Sequence, residues 1–74
     1  MDSLIIDDLE RALRRYRPQI EDDDDEIRLY IVGVDDMSQR NFYNIESAID
    51  AIADRYGLDY DVQNGYEWCW TFRD

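Results

Sequence analysis

The chain has 74 residues, and its 19 acidic side chains stand against eight arginines with no lysine and no histidine, which gives a net charge of -11. This charge excludes direct binding to a phosphate backbone, because such binding draws its affinity from cationic side chains that neutralise phosphates. A macromolecular partner should therefore be basic. The length and a hydrophobic fraction of 45% predict a single domain over residues 1–74 with one core.

Several kinds of chemistry lack the residues that they need. One cysteine and no histidine exclude an intrachain disulfide and a Cys/His zinc site. The sequence has no phosphate-binding loop and no serine in a nucleophile motif, so we expect a protein that is not an enzyme and uses no cofactor and no metal. The first apolar residues are interrupted by Asp7 and Asp8, which is typical of neither a signal peptide nor a membrane span, and a cytoplasmic protein is the expectation.

The first predicted element is a helix at about residues 3–17. Apolar residues recur there at steps of three and four, which places them on one stripe of a helix. Ser3 can cap its start and Pro18 stops it. The segment up to Ile20 has four acids and four arginines, so the whole charge excess falls in the remainder of the chain.

An acidic connector is predicted at residues 19–26. The run from Glu21 to Glu26 contains six acids in succession, and their mutual repulsion favours a solvated, mobile segment. A calcium-binding EF-hand loop would need alternating ligands and a central glycine, neither of which is present in this run.

Residues 27–74 are predicted to form a β-β-α-β-β unit. Apolar residues alternate from Ile27 and predict a strand that ends near Val34, and a turn and a short returning strand from Arg40 to Tyr43 follow. Asn44 is then a candidate helix cap, and an apolar stripe from Ile45 predicts a helix that Gly57 ends.

The dipeptide Asn64-Gly65 lies between two strand-like segments and predicts a hairpin. A two-residue loop would place Asp59 and Asp61 on the same face as the tryptophans. This register is disfavoured because the carboxylates would be buried beside large apolar side chains. A three-residue loop with Gly65 in the left-handed conformation pairs Val62 with Tyr66 instead. One face then carries Leu58, Tyr60, Val62, Tyr66, Trp68, Trp70 and Phe72, and the aromatic residues among them are expected in the core.

The fold class predicted from these elements is α+β. Two helices pack on a mainly antiparallel four-stranded sheet, in the order α-β-β-α-β-β.

The acids outside the first helix are the candidate partner-binding residues. They would bind the basic, nucleic-acid-binding surface of a target protein through fast, salt-sensitive association. Two tyrosines are candidates for aromatic contacts at the same interface, Tyr30 and Tyr43. The acidic candidates are Glu21, Asp22, Asp23, Asp24, Asp25, Glu26, Asp35, Asp36, Asp59, Asp61 and Glu67.

In its size and in the acidic run Glu21 to Glu26, with Asp35, Asp36, Asp59 and Asp61, the chain resembles the small acidic counter-defence proteins of phages, which include anti-CRISPR and anti-restriction proteins. The resemblance is one of composition over most of the chain. It implies a non-enzymatic inhibitor that mimics the charge of nucleic acid and binds a nuclease or a CRISPR surveillance complex in the host cytoplasm.

Two other functions remain open. A protein adapted to a high-salt cytoplasm would also be rich in Asp and free of Lys, although such an adaptation should coat all faces and the first helix is neutral. A small adaptor or antitoxin-like protein would bind one basic protein through the first helix, which carries a basic cluster of its own at Arg14, Arg15 and Arg17.

Overall fold

The fold contains two helices and four strands in a computed structural model that describes residues 3–23, 25–31, 38–64 and 67–73. The strands form one antiparallel sheet in the order β1-β2-β4-β3, so the fold is α+β. The order helix, two strands, helix, two strands is the predicted one. The strand predicted from Ile27 is confirmed as β2, but its partner is formed by residues 19–22 and not by residues 40–43. The elements are α1 (Ser3–Leu13), a 3-10 turn (Arg14–Tyr16), β1 (Gln19–Asp22), β2 (Glu26–Ile31), α2 (Gln39–Tyr56), β3 (Asp59–Asn64) and β4 (Trp68–Arg73).

The prediction of a mobile connector at residues 19–26 is wrong. Residues 19–22 form β1, an edge strand that pairs antiparallel with β2 from Gln19 opposite Tyr30 to Asp22 opposite Ile27. The backbone N–H of Asp23 donates to the carbonyl of Glu26 at 2.9 Å and closes this hairpin. Arg28 on the neighbouring strand β2 pairs with Asp23 and Glu26 and so offsets part of the repulsion between the acids. The order of residues in the acidic run does not show this pairing.

The start of the second helix was also placed wrongly. Residues 40–43, predicted as a strand, belong to α2, and the helix cap is Ser38 rather than Asn44. The Ser38 hydroxyl accepts from the backbone N–H of Asn41 at 3.1 Å and satisfies one of the free donors of the first turn. Gly57 ends α2 as predicted, with a φ of 67° in the left-handed region. The predicted strand beyond Ile31 and the turn at Asp35 and Asp36 lie outside the described residues.

The second hairpin has the predicted faces and a different register. Val62 lies opposite Trp70, and Asn64 lies opposite Trp68, so the three residues between the paired strands follow Asn64 instead of Val62. The predicted pairing of Val62 with Tyr66 would have set Phe72 against Tyr56, which is still helical. The observed register lets all six residues of β4 pair with β3. The predicted left-handed Gly65 lies outside the described residues.

One core fills the space between the helices and the sheet. Helix α1 contributes Ile5, Leu9 and Leu13, and the rest of the core comes from alternate residues of β2 and β4, from α2 and from Leu58. The aromatic residues are divided, since Trp70 and Phe72 are fully buried while Trp68 and Tyr60 are only partly buried against the core. The other buried residues are Ile27, Leu29, Ile31, Ile45, Ile49, Ile52 and Ala53.

Within the described parts of the chain, neither helix combines the length and the apolar character that crossing a lipid bilayer requires.

Candidate functional site

The face of the sheet that lies away from the helices carries several of the predicted binding residues. We call it the open face. Since side chains alternate along a strand, the residues between the core positions of each strand share this face. The strand register places them in rows that run across the four strands. The open face consists of these strand residues and of Asp23 and Glu67, which adjoin them at Arg28 and in a depression beside Arg73. Its members are Gln19, Glu21, Asp23, Glu26, Arg28, Tyr30, Asp59, Asp61, Gln63, Glu67, Cys69, Thr71 and Arg73.

Acidic side chains border the open face on both edge strands. Glu21 is exposed on β1, and Asp59 and Asp61 are exposed on β3, the opposite edge. Three strand spacings of about 4.8 Å separate these edges, so the two acidic borders lie about 14 Å apart. Asp59 and Asp61 are two residues apart along their strand, which is about 7 Å.

Arg28 occupies the centre of the open face and is held by acids from the first hairpin. Its Nε donates to Glu26 Oε2 at 2.7 Å, and its Nη2 lies 3.7 Å from Asp23 Oδ2. The hydrogen bond to Glu26 raises the pKa of the Arg28 guanidinium even further above its ordinary value. Beside it, burial raises the pKa of the Tyr30 phenol. Because its charge is already paired, Arg28 stiffens the acidic hairpin and leaves little positive potential on the face.

Arg73 is the second arginine of the open face. Its Nη1 donates to Asp61 Oδ2 at 3.2 Å, and both side chains are more than half exposed. A shallow depression beside it is lined by side chains of β2, β3 and β4 and by Glu67. Of the described residues at this face, six acids and two arginines give a balance of four negative charges: Glu21, Asp23, Glu26, Asp59, Asp61 and Glu67 against Arg28 and Arg73.

The predicted binding residues are therefore gathered only in part. Asp22 follows Glu21 in the strand and so belongs to the other face, where its register partner is Ile27. Asp25 is exposed in the bend between β1 and β2. Tyr30 is half-buried on the open face, whereas Tyr43 is 70% exposed and lies in α2 instead of in the predicted strand over residues 40–43. Asp24, Asp35 and Asp36 lie outside the described residues.

A second acidic group lies where α2 passes the edge strand β3, and the sequence interpretation missed it. Its helical members Glu46, Asp50 and Asp54 recur every fourth residue, which places them on one stripe of α2. Asp50 and Asp54 line a depression together with Asp59 and Asp61 of β3. The four-residue spacing was visible in the sequence, but nothing there showed that β3 would lie beside it.

Two of these carboxylates converge on one phenol. The Tyr60 hydroxyl oxygen lies 2.5 Å from Asp50 Oδ1 and 2.9 Å from Glu46 Oε2. Glu46 also accepts from the Trp70 indole Nε1 at 3.0 Å through its other oxygen. Burial and the two carboxylates hold the pKa of the Tyr60 phenol far above its ordinary value. These contacts tie α2 to the second hairpin.

A similar arrangement joins the two helices. Tyr56 donates to Asp8 Oδ2 at 2.5 Å and Arg55 donates to the same oxygen at 3.2 Å. The hydrogen bond from Tyr56 lowers the pKa of the Asp8 carboxyl, and the positive charge of Arg55 acts in the same direction. This contact fixes α1 against α2 on the side of the molecule away from the open face.

In the described part of the chain, no three Asp, Glu or Cys side chains are placed to hold a metal ion together. No known family model matches the sequence, and no curated protein shows significant sequence similarity to it.

Proposed function

We propose that this protein is a non-enzymatic inhibitor that uses the open face to bind the basic, nucleic-acid-binding surface of a target protein, such as a nuclease or a CRISPR surveillance complex. The observation that carries the proposal is the pair of acidic borders on opposite edges of one sheet face. Their separation of about 14 Å is close to the width of about 12 Å of the DNA major groove, which lies between two rows of phosphates. A groove shaped to receive two phosphate rows would meet carboxylates at both edges of this face, from Glu21 on β1 and from Asp59 and Asp61 on β3.

The charge distribution supports binding rather than adaptation to salt. The acids of the open face exceed its arginines by four, whereas the first 20 residues carry equal numbers of acids and arginines. An even acidic coat would serve solvation equally well on every face. The concentration of charge on one sheet face gives the molecule an oriented field, and such a field raises the rate at which a cationic partner is met.

The open face also has a rigid base. Every carboxylate of the two borders is attached to a hydrogen-bonded strand whose alternate residues are anchored in the core. A partner therefore does not have to order a flexible loop, and the entropic cost of binding is reduced. Tyr30 supplies a half-buried aromatic ring between the two borders, and tyrosine is a common anchor in protein interfaces.

The test compares two variants with the same net charge. The open-face variant combines Glu21→Gln, Asp59→Asn and Glu67→Gln, none of which takes part in an ion pair among the described residues. The helix variant combines Asp7→Asn, Glu10→Gln and Asp54→Asn. Each set changes the net charge from -11 to about -8 if every replaced acid is ionised.

The wild-type protein and both variants are assayed for displacement of labelled DNA from a panel of nucleases and CRISPR surveillance complexes. We expect displacement by the wild type and the helix variant, and a loss of about tenfold or more in the association rate for the open-face variant, with rates that fall as salt is raised. Equal losses in both variants would show that only the total charge matters. Absence of displacement by the wild type across the panel would contradict the proposal.

A salt experiment separates the proposal from adaptation to high salt. A binding protein of this kind melts cooperatively at low salt, because its core and not its solvent shell holds it together. A salt-adapted protein is loosened at low salt and recovers in molar salt, where its self-repulsion is screened. Thermal melts followed by circular dichroism at the two salt concentrations distinguish these outcomes.

A further inference from the structure

At the contact between α2 and β3, two carboxylate oxygens lie within hydrogen-bond distance of a single phenol oxygen. Tyr60 places one hydroxyl oxygen within 2.9 Å of Glu46 Oε2 and within 2.5 Å of Asp50 Oδ1. A phenol has one hydrogen to donate, and an ionised carboxylate has none. If both acids are ionised, one of these two oxygen pairs has no hydrogen between its atoms and is repulsive.

The Glu46 carboxyl cannot easily turn away from the Tyr60 oxygen. Its other oxygen accepts from the indole nitrogen of Trp70 at 3.0 Å, and Trp70 is fully buried. The Glu46 carboxyl is therefore held on both sides, between the indole and the phenol. Asp50 is exposed, and the phenol is its hydrogen-bond partner among the described residues, so it is the member of the group that can turn towards water.

We propose that the folded protein binds one proton that Glu46 and Asp50 share through the Tyr60 hydroxyl. A hydrogen-bonded chain of carboxyl, phenol and carboxylate then replaces the oxygen pair that has no hydrogen between its atoms. One acid then donates its proton to the Tyr60 oxygen, and the Tyr60 hydroxyl donates to the other acid. Both short distances contain a hydrogen in this arrangement. No covalent bond changes, and the proton comes from solvent. The proton-binding group is distinct from the open face and does not depend on the proposed inhibitory function.

The surrounding charges favour this proton. Asp54 lies one turn beyond Asp50 on α2, and Asp59 and Asp61 line the same depression from β3. The arginine of this depression, Arg73 on β4, is engaged by Asp61 at 3.2 Å. A proton added among several carboxylates and one paired cation reduces like-charge repulsion. Acidification should therefore strengthen the tie between α2 and the second hairpin until the ion pairs of the molecule begin to lose their charges.

The variant Glu46→Gln tests the hydrogen count directly. The Gln carbonyl can accept from Trp70 while its amide group donates to the Tyr60 oxygen, and Tyr60 then donates to Asp50. Asp50→Asn provides the same match from the other side and serves if Glu46→Gln does not fold. Asp54→Asn is the control, since it removes one charge from the same depression without touching the phenol.

Unfolding by urea is measured at a series of pH values between 5 and 7. One extra proton bound by the folded state changes the folding equilibrium constant by about tenfold per pH unit, with greater stability at lower pH. We expect the wild type and Asp54→Asn to become more stable on acidification. Glu46→Gln and Asp50→Asn should show much less of this increase in stability. The difference should vanish in a Tyr60→Phe background, where no phenol oxygen is left to bridge the acids.

The proposal fails if Glu46→Gln or Asp50→Asn folds and shows the same pH dependence as the wild type. In that case Asp50 simply turns into water at neutral pH. Carboxyl carbon-13 signals of the wild type provide an independent measurement if neither variant folds. One of the two acids should keep the signal of a protonated carboxyl at a pH at which Asp54 is already ionised, and simultaneous ionisation of all three acids would overturn the proposal.

Discussion

The two faces of the sheet are built from neighbouring residues and serve different ends. Trp70 is fully buried among the helices, while Cys69 and Thr71, one position away on either side, lie on the open face. The core face contains the large apolar side chains whose burial stabilises the fold, at about 25 cal/mol for each Å² removed from water. The open face contains charges that contribute little to stability. Substitutions of these acids should therefore affect the fold less than substitutions in the core.

The largest test of this contrast is Trp70→Ala. The substitution removes a fully buried indole and leaves a cavity, which costs roughly 3 to 5 kcal/mol and is enough to unfold a domain of this size. It also deprives Glu46 of its indole donor. Circular dichroism with urea titration measures the loss.

Trp68→Ala is the matched comparison for that experiment. Trp68 lies on the same face but is only partly buried, with its ring 4.7 Å from the ring of Phe42. It should cost roughly 1 to 3 kcal/mol because less area is lost. Equal losses for the two tryptophans would contradict the burial assigned to them.

The two ends of α2 test how much the fold depends on local backbone terms. Gly57→Ala should destabilise the protein by about 1 kcal/mol, because the residue has a φ of 67° and a Cβ is strained there although no atom lies within 4 Å of it. Ser38→Ala should cost about 1 kcal/mol by removing the cap of Asn41. Urea midpoints measure both, and Ser47→Ala, at an exposed position within α2, is the control.

The contact between the helices predicts a pH dependence. The pKa of the Asp8 carboxyl is lowered in the folded state by its hydrogen bond from Tyr56. Its contribution to stability is therefore present above the ordinary value of 3.8 and is lost as the pH falls through the lower folded value. Asp8→Asn should be less stable than the wild type at neutral pH, and the two should converge below pH 3.8. Asp7→Asn on the same helix is the control, since it removes one acid of α1 and leaves the contact of Asp8 with Tyr56 in place.

The smallest effects are expected on the open face. Asp59→Asn, Glu21→Gln and Glu67→Gln should each change the unfolding free energy by no more than about 0.5 kcal/mol, since these side chains make no described ion pair and bury no apolar area. Thermal melts of the single variants measure this. A larger destabilisation by any of them would mean that the open face takes part in holding the fold together.

The sequence predicted the fold class and the faces of the sheet because these follow from alternation and helical spacing. The predicted register of the second hairpin is wrong, because the residues of β3 that are free to pair depend on where α2 ends, at Tyr56. Strand β1 was not predicted because six consecutive acids indicate repulsion, while the compensation by Arg28 appears only once β2 lies alongside. The prediction of Asn44 as the cap is wrong because Phe42, three residues before Ile45, continues the apolar stripe of α2 towards Ser38.

The group around Tyr60 could be anticipated only in its helical half. The spacing of Glu46 and Asp50 shows that they share a stripe of α2, but the phenol that joins them comes from a strand 10 residues beyond Asp50. Long-range pairing of this kind depends on how the helix lies across the sheet. The open face was easier to anticipate, since alternation along β3 and β4 assigns it once the core residues are known.

The acids on both edge strands affect how copies of the protein can associate through their sheets. An edge strand presents unpaired backbone groups that can recruit another strand and begin a fibril. A second copy approaching β1 or β3 would bring carboxylates against carboxylates, from Glu21 at one edge and from Asp59 and Asp61 at the other. Growth of the sheet from one molecule to the next is therefore opposed by charge repulsion at each edge.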